Sequence, residues 1–197
     1  YPEVSVQLQI HSTRRTGWSV ANGQIDIAII GGQLPLELNE SLQVVPFATD
    51  ELALVLPTNH SLAKSKELTK EDLYSLGFIT LDNQSTTRKV VDQLLSSSGL
   101  DVQRLQIEME LNSLEAIKNA VQSDLGAAFL PVVSIERELS GGSIHRPVVA
   151  DLEVKRELKV ITNPGRYSSR AAEAFTQDIL PLFASSFSPL FNTENQN

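Results

Sequence analysis

The sequence predicts an α/β fold, because short apolar runs alternate along the chain with segments of helical periodicity. The run at 25–30 is almost continuously apolar and is closed by two glycines, which is typical of a strand buried on both faces of a parallel sheet, and the runs at 77–81 and 126–131 are also predicted to be strands. Helical patterns at 85–98 and 113–124 separate the later runs. Because this β-α-β order repeats, the sheets are expected to be mostly parallel.

The first predicted element is a strand at 4–10, where apolar and polar residues alternate so that one face is buried. A short helix follows, with Ser12 or Thr13 as its N-cap and an end near Gly23. The later predicted elements are strands at 25–30, 42–47 and 51–56, a short helix capped by Thr69, a strand at 77–81, a helix at 85–98, a strand at 105–111, a helix capped by Ser113, a strand at 126–131, a helix at 132–141, a strand at 154–162 and a long helix from Ser168. Residues 189–197 lose this periodicity and are predicted to form a disordered tail.

Composition limits the possible functions. The 197 residues fit one large domain or two small ones. A net charge of -8 argues against binding of nucleic acid by the whole surface, so a DNA-binding element has to be elsewhere or absent. The absence of cysteine excludes disulfides and thiol catalysis. No apolar run approaches the roughly 18 residues of a membrane span.

Motifs of enzymes are not found. The sequence contains no GxGxxG, no GxxxxGK[ST] and no GxSxG pattern. The three histidines, His11, His60 and His145, lie far apart and lack the spacing of metal ligands. Glu108 and Glu110 share one face of a predicted strand, and a solvated sheet face explains them better than an acid pair.

Polar residues cluster where three predicted strands end and helices begin. The groups are Ser12, Thr13 and Arg14 after the first strand, Asn83, Ser85, Thr86, Thr87 and Arg88 after the strand at 77–81, and Asn112 after the strand at 105–111. Free backbone N–H groups and the helix dipole favour an anion at such places, and hydroxyls and arginine can bind it. The alternative at each place is an ordinary helix cap, worth about 1 kcal/mol. If the three groups converge, they predict an anion site.

Six stretches, taken in order, carry a resemblance to a known family: "YPEVSVQLQI", "GQIDIAIIGG", "DELALVLPTNHSLA", "GFITLDNQSTTRKVVDQLL", "NSLEAIKNAVQSDLGAAFLP" and "RAAEAF". Together they resemble the effector-binding (regulatory) region of LysR-type transcriptional regulators over roughly residues 1–185. The stretches "HSTRRTGWSVANGQIDIAIIGG" and "ITLDNQSTTRKVVDQLL" are similar to the subgroup that controls carbon fixation and inorganic-carbon uptake in cyanobacteria and plastids. Gly17 stands where the family usually has leucine, so the first helix is expected to be short or frayed.

The resemblance implies an α/β fold of two Rossmann-like subdomains, periplasmic-binding-protein type II-like, joined by two crossover strands near 50–56 and 149–157. Subdomain I is expected to hold residues 1–51 and 154–188, and subdomain II residues 52–153. In the family, a winged helix-turn-helix and a linker helix precede this region. A first strand and helix of subdomain I precede "YPEV" as well, and we expect all these parts to lie outside the present chain.

In the family, the effector binds in the cleft between the subdomains. The residues that the resemblance places there are Ser12, Thr13, Arg14, Ile30, Gly31 and Gly32 from subdomain I, and Asn83, Ser85, Thr86, Thr87, Arg88, Asn112, Phe129, Leu130 and Pro131 from subdomain II. The hydroxyls and arginine in this set predict a small carboxylate or phosphate effector, such as 2-oxoglutarate, 2-phosphoglycolate or ribulose bisphosphate. No catalytic residue, metal or cofactor is expected.

The expected function is ligand sensing in the cytoplasm or the plastid stroma, without a membrane partner. Effector binding is expected to shift the conformation of a homodimer or homotetramer and so to control transcription of carbon-fixation or inorganic-carbon-uptake genes. Promoter DNA is bound only through the N-terminal winged helix-turn-helix. The alternative is a solute-binding protein or small-molecule carrier of the same fold. An enzyme is a weaker alternative, because no positioned base or nucleophile is visible.

Overall fold

The computed structural model describes residues 2–83 and 85–187, with the side chains of Thr86 and of 184–187 left out of the description. The predicted tail at 189–197 lies outside these residues. The helices and strands are, in chain order, α1 (Thr13–Ala21), β1 (Ile27–Ile30), β2 (Gln43–Pro57), β3 (Gly77–Leu81), α2 (Thr86–Ser97), β4 (Gln106–Leu111), α3 (Leu114–Gln122), β5 (Ala128–Pro131), α4 (Glu136–Ser140), β6 (Ile144–His145), β7 (Lys155–Thr162), α5 (Arg170–Ala174) and α6 (Leu180–Phe187), with a π-helical turn at Phe175–Ile179. No helix among these residues has the length and apolarity that crossing a membrane requires.

The chain divides into two compact units. Unit 1 holds the chain up to Thr49 and from Glu157 onward, and unit 2 is the continuous segment Asp50–Arg156. The sequence places the corresponding boundaries at 51/52 and 153/154. The long strands β2 and β7 contain the two points where the chain passes from one unit to the other.

In unit 1, β1 pairs antiparallel with β7, from Ile27 opposite Thr162 to Ile30 opposite Lys159. Its core consists of Val20, Ile30, Leu38, Leu42 and Ile161. Of the two expectations for α1, fraying at Gly17 is wrong, since the helix runs from Thr13 to Ala21 without a break, but the helix is short at nine residues. Gly17 is buried there, and a Cβ at this position would lie 2.7 Å from Cδ2 of Leu34. A larger residue at position 17 would therefore require the Leu34 side chain to move.

In unit 2, β2 pairs antiparallel with β5 and β6, whereas β3 pairs in parallel with β4. Two backbone hydrogen bonds of 2.8 Å, from Ile79 N–H to Ala127 O and from Ala127 N–H to Gly77 O, join β3 in parallel to the residue before β5. The prediction of mostly parallel sheets is therefore wrong for β2 and correct only for the β3-α2-β4-α3-β5 portion. Parallel pairing of consecutive strands needs a crossover connection, usually a helix, and β2 is not followed by one. Between β2 and β3 the chain forms only short 3₁₀ turns.

Three further elements differ from their predictions. The runs at 42–47 and 51–56 belong to one strand, β2, and the helix expected from Thr69 is only a 3₁₀ turn at Asp72–Ser75. Residues 4–10 are not in a strand, and Leu8 and Ile10 are 85% and 87% exposed. Alternation marks a face that can be buried, but a strand also needs a neighbouring strand with which its backbone can form hydrogen bonds. No ladder partner for this segment is found in the part of the chain that the structure describes.

The core of unit 2 has two clusters. One lies under α2 and contains Leu56, Leu73, Phe78 and Leu95, among others. The other lies under α3 and contains Val55, Ile79, Val121 and Leu130, among others. Together they fix the ends of β3 and β5, where the polar loops of the candidate site begin.

Candidate effector site

The loop after β3 turns sharply into α2. Ser85 has extended backbone angles and its hydroxyl accepts a hydrogen bond of 3.4 Å from Arg88 N–H, so Ser85 is the N-cap of α2. At the other side of the loop, Asp82 N–H donates to Leu111 O at 3.0 Å, which ties the end of β3 to the end of β4. The first backbone N–H groups of a helix have no partner within it. The half-buried Thr87 lies in this first turn.

The guanidinium of Arg88 is bound to its own surroundings. Its Nε lies 2.8 Å from both carboxylate oxygens of Asp92, one turn further along α2. Its Nη1 donates to Thr80 Oγ1 at 2.8 Å and to Leu81 O at 3.3 Å, and lies 3.8 Å from Glu110 Oε1. Arg88 therefore holds the end of β3 against α2, and the Asp92 carboxylate balances much of its charge.

A second arginine approaches the same helix turn from β7. Arg156 donates from Nε to Asp50 Oδ2 at 2.8 Å, and its Nη2 lies 2.6 Å from the same oxygen. Its Nη1 lies 3.4 Å from Thr87 Oγ1. Asp50 is 3% exposed, and its other oxygen, Oδ1, has no hydrogen-bond partner among the described residues. The sequence interpretation missed both residues, although an Asp and an Arg beside two predicted crossover strands were a visible signal.

The other predicted residues of unit 2 follow β4 and β5. Asn112 is exposed directly after β4. The prediction that Ser113 caps α3 is wrong in detail, because its side chain makes no capping hydrogen bond. The half-buried ring of Phe129 stacks on Phe78, with 5.9 Å between the ring centroids, whereas Leu130 and Pro131 are buried.

Four predicted residues of unit 2 line one small cavity. Thr87, Arg88, Phe129 and Pro131 meet there, together with apolar side chains of β3 and α2. Its volume of about 40 Å³ is room for a water molecule, and metabolite sites are about ten times larger. The structure therefore brings these four side chains together in unit 2 without forming a complete metabolite site there.

The predicted residues of unit 1 lie at the start of α1 and the end of β1. Ser12 is the N-cap of α1 and accepts a hydrogen bond of 3.4 Å from Arg15 N–H. Thr13 is buried and Arg14 is exposed. At the end of β1, Ile30 is buried in the core, and the half-buried Gly31 and Gly32 follow it. Because α1 packs on β1, the two groups of residues belong to one packed substructure of unit 1.

Titratable groups with shifted pKa values lie elsewhere. Hydrogen bonds from Lys118, which links Glu115 of α3 to Glu138 of α4, lower the pKa of Glu138. Hydrogen bonds from the side chain and backbone of Thr69 lower the pKa of Asp72. Within 2–83 and 85–187, no three His, Asp or Glu side chains are grouped in a way that could hold a metal ion. The hydrogen bonds of Lys118 and Thr69 thus stabilise a contact between helices and a turn of unit 2.

Comparison with known proteins defines the class. Residues 1–183 match the LysR substrate binding domain family, and the chain belongs to this family. The fold agrees: the regulatory domain of Synechocystis PCC6803 CcmR, solved in complex with 2-PG, has a TM-score of 0.78 at 23% identity and covers 93% of this chain and 85% of that one. The effector-binding domain of QuiR, solved with shikimate, has a TM-score of 0.70 at 20% identity and covers 89% of this chain and 79% of that one. The predicted fold of the periplasmic-binding-protein type II-like class is thereby confirmed.

Within the family, the curated relatives point to one subgroup. The chain is 61% identical over 184 residues to a probable RuBisCO transcriptional regulator of Trichormus variabilis, with 93% of this chain and 55% of the relative covered. It is 58% identical to the proteins of the same name from Synechocystis sp. and from the alga Porphyra purpurea, over 93% of this chain and 53% and 58% of theirs. The resemblance to the carbon-fixation subgroup is thereby confirmed. The chain spans little more than half the length of these relatives.

Proposed function

We propose that this chain is the ligand-sensing domain of a LysR-type regulator and that it binds a small anionic metabolite of carbon metabolism. The observation that carries the proposal is the first turn of α2, where Nη1 of Arg156 lies 3.4 Å from the Thr87 hydroxyl at the N-terminus of the helix. Such a turn favours an anion, through both the helix dipole and charge-assisted hydrogen bonds.

The effector residues are proposed to be those that the resemblance implies. In unit 2 the wall consists of the Ser85–Arg88 turn with Asn83, Asn112 and the end of β5 at Phe129, Leu130 and Pro131. In unit 1 it consists of Ser12, Thr13 and Arg14 with Ile30, Gly31 and Gly32. The hydroxyls and helix N-termini in both groups support an anionic ligand, because they can donate hydrogen bonds to its oxygens.

The candidate effectors are small carboxylates and phosphates. CcmR, a structural neighbour, was solved with 2-PG bound. For the present chain, 2-phosphoglycolate, 2-oxoglutarate and ribulose bisphosphate are the compounds to test, because each offers two anionic groups that two helix N-termini could bind.

The biological readout is proposed to be transcription of carbon-fixation or inorganic-carbon-uptake genes, and the name of the curated relatives, probable RuBisCO transcriptional regulator, supports the carbon-fixation part. Effector binding shifts the conformation of a homodimer or homotetramer by a coupling of about 1–3 kcal/mol. DNA is bound by a winged helix-turn-helix outside this chain, since the net charge of -8 is unfavourable for phosphate contacts. The protein acts in the cytoplasm or plastid stroma by binding alone, without catalysis.

Isothermal titration calorimetry with the three acids tests the proposal directly. We expect at least one acid to bind the 197-residue chain with a one-to-one stoichiometry, and binding to weaken as sulfate is added as a competing anion. Neutral and cationic compounds of similar size serve as controls. Binding of one of these compounds in the absence of binding by any acid would refute the anionic effector.

A further inference from the structure

Asp50 and Arg156 are the first and last residues of unit 2, and they form an ion pair at the place where the chain enters and leaves it. Both side chains are largely shielded from solvent, at 3% and 13% exposure. An ion pair at this place can have a purely structural role. A hydrogen bond of 2.8 Å from Leu52 N–H to Val154 O holds the same two segments together. Two details of the pair do not fit a purely structural role.

The first detail is that the carboxylate is only half used. In a complete pair of arginine and carboxylate, two parallel hydrogen bonds engage both oxygens. Here Nε and Nη2 of Arg156 both contact Oδ2 of Asp50, and Oδ1 has no partner among the described residues although the residue is buried. Buried polar atoms without a partner are rare and indicate strain, a missing water or a binding role.

The second detail is the direction of the remaining donors. A guanidinium carries five N–H donors in a rigid fork. In Arg156, the edge formed by Nε and Nη2 faces Asp50, and Nη1 faces Thr87 Oγ1 at the long distance of 3.4 Å. Nη1 therefore lies at the first turn of α2 with only a weak contact. Arg88, by contrast, has its Nε on Asp92 and its Nη1 on Thr80 and Leu81 at distances of 2.8–3.3 Å.

From these contacts we infer that Arg156 is an effector-binding residue, which contacts the anionic group of the ligand at the first turn of α2, and that Asp50 weakens this contact by competing for the same guanidinium. The inference rests on the proposed function, because it assigns the cation of that site. The ligand class that it implies is a phosphate or carboxylate whose oxygens accept hydrogen bonds from Nη1 of Arg156 and from Thr87.

The arrangement also links ligand binding to the two strands by which the chain enters and leaves unit 2. An anion that attracts Arg156 draws it away from Asp50, and these two residues lie on β2 and β7 where both strands leave unit 2. The occupied site thereby changes the strength of the ion pair that joins the two strands. A ligand can shift a conformational equilibrium only by such a difference in interaction between states.

Calorimetry with 2-phosphoglycolate, 2-oxoglutarate and ribulose bisphosphate on matched variants tests the inference. Arg156→Gln should lower the affinity for the acid that binds the unchanged chain by about tenfold or more, as expected for loss of a charge-assisted hydrogen bond. Asp50→Asn should instead raise the affinity for that acid severalfold, because the carboxylate that competes for Arg156 is gone. Asp50→Asn combined with Arg156→Gln keeps the buried site neutral, and it should bind as weakly as Arg156→Gln alone. Arg137→Gln, at an exposed position on α4, is the control and should leave the affinity unchanged.

The outcomes separate the inference from the proposed function. If the unchanged chain binds none of the acids, the proposed function fails and the inference fails with it. If it binds an acid, and the double variant and Asp50→Asn bind with the same affinity as the unchanged chain, only the inference is overturned. In that case the ion pair has only a structural role. Thermal melting should then show that Asp50→Asn and Arg156→Gln each lower the melting temperature, and that the double variant regains part of the lost stability. If Arg156→Gln alone does not fold, the double variant and Arg156→Lys give the same decision.

Discussion

Replacing Arg88 by methionine should lower the free energy of unfolding of unit 2 by about 2 kcal/mol, because it removes charged hydrogen bonds to Asp92, Thr80 and Leu81. The coupling between Arg88 and Asp92 can be estimated separately. Exposed pairs at this helical spacing contribute about 0.3–0.5 kcal/mol. The side chains of Arg88 and Asp92 are only 16% and 32% exposed, so we expect a coupling nearer about 1 kcal/mol.

A double-mutant cycle with Arg88→Met and Asp92→Asn measures this coupling. Urea unfolding followed by circular dichroism reports the change, and the fluorescence of Trp18, the single tryptophan, reports unit 1. If the units unfold separately, the fluorescence transition should stay in place. The pair Arg104 and Glu71 is a matched control, because it has the same 2.8 Å distance but is 53% and 74% exposed, and its coupling should be much smaller. Strict additivity of Arg88→Met and Asp92→Asn would refute the view that Arg88 is held by its own helix.

Three further measurements follow from the structure. Thr87→Val removes one hydroxyl at nearly constant volume and should lower the affinity for the bound acid by a few fold to tenfold in calorimetry. Thr176→Val, on the π-helical turn, should leave that affinity unchanged. Leu95→Ala should lower the stability of unit 2 by about 2–5 kcal/mol in urea unfolding, since Leu95 is 1% exposed in the core, and a loss below 1 kcal/mol would contradict its burial. The hydrogen bond from Lys118 lowers the folded-state pKa of Glu138. The contribution of Glu138 to stability is therefore full above the unfolded pKa and is lost as the pH falls through the folded pKa. Glu138→Gln should therefore flatten this part of the acid limb of a plot of stability against pH, and an unchanged slope would count against it.

The elements that could be predicted from the sequence are those whose signals are local. The Ser85 cap and the start of α2 follow from a polar turn next to an apolar strand, and such a signal needs no distant partner. The segment at 4–10 has an equally clear alternation, yet it is not a strand, because pairing depends on a neighbour that the pattern cannot supply. Strand direction likewise depends on which strands become neighbours, and β2 pairs with β5 and β6, which lie more than 70 residues further along the chain.

The candidate site shows the same division. Thr87 and Arg88 could be found because hydroxyls and a cation follow a strand end within a few residues. The sequence could not show that Asp92 neutralises Arg88, because a carboxylate four residues away is equally typical of an ordinary surface pair. Asp50 and Arg156 lie 106 positions apart in the chain, and only the fold brings them to α2. The sequence shows that both residues are charged, but it does not show that they form an ion pair.

The closure of unit 2 by its own first and last residues makes this segment self-contained. Its two ends lie within hydrogen-bonding distance of each other through Asp50 and Arg156, and its clusters under α2 and α3 draw only on residues 52–154. Segments of this kind tolerate insertion into other proteins and circular permutation, because joining their ends costs little chain entropy. Unit 2 thus has the form of an inserted module, and a short linker between Arg156 and Asp50 should allow new chain ends to be opened elsewhere in its surface turns.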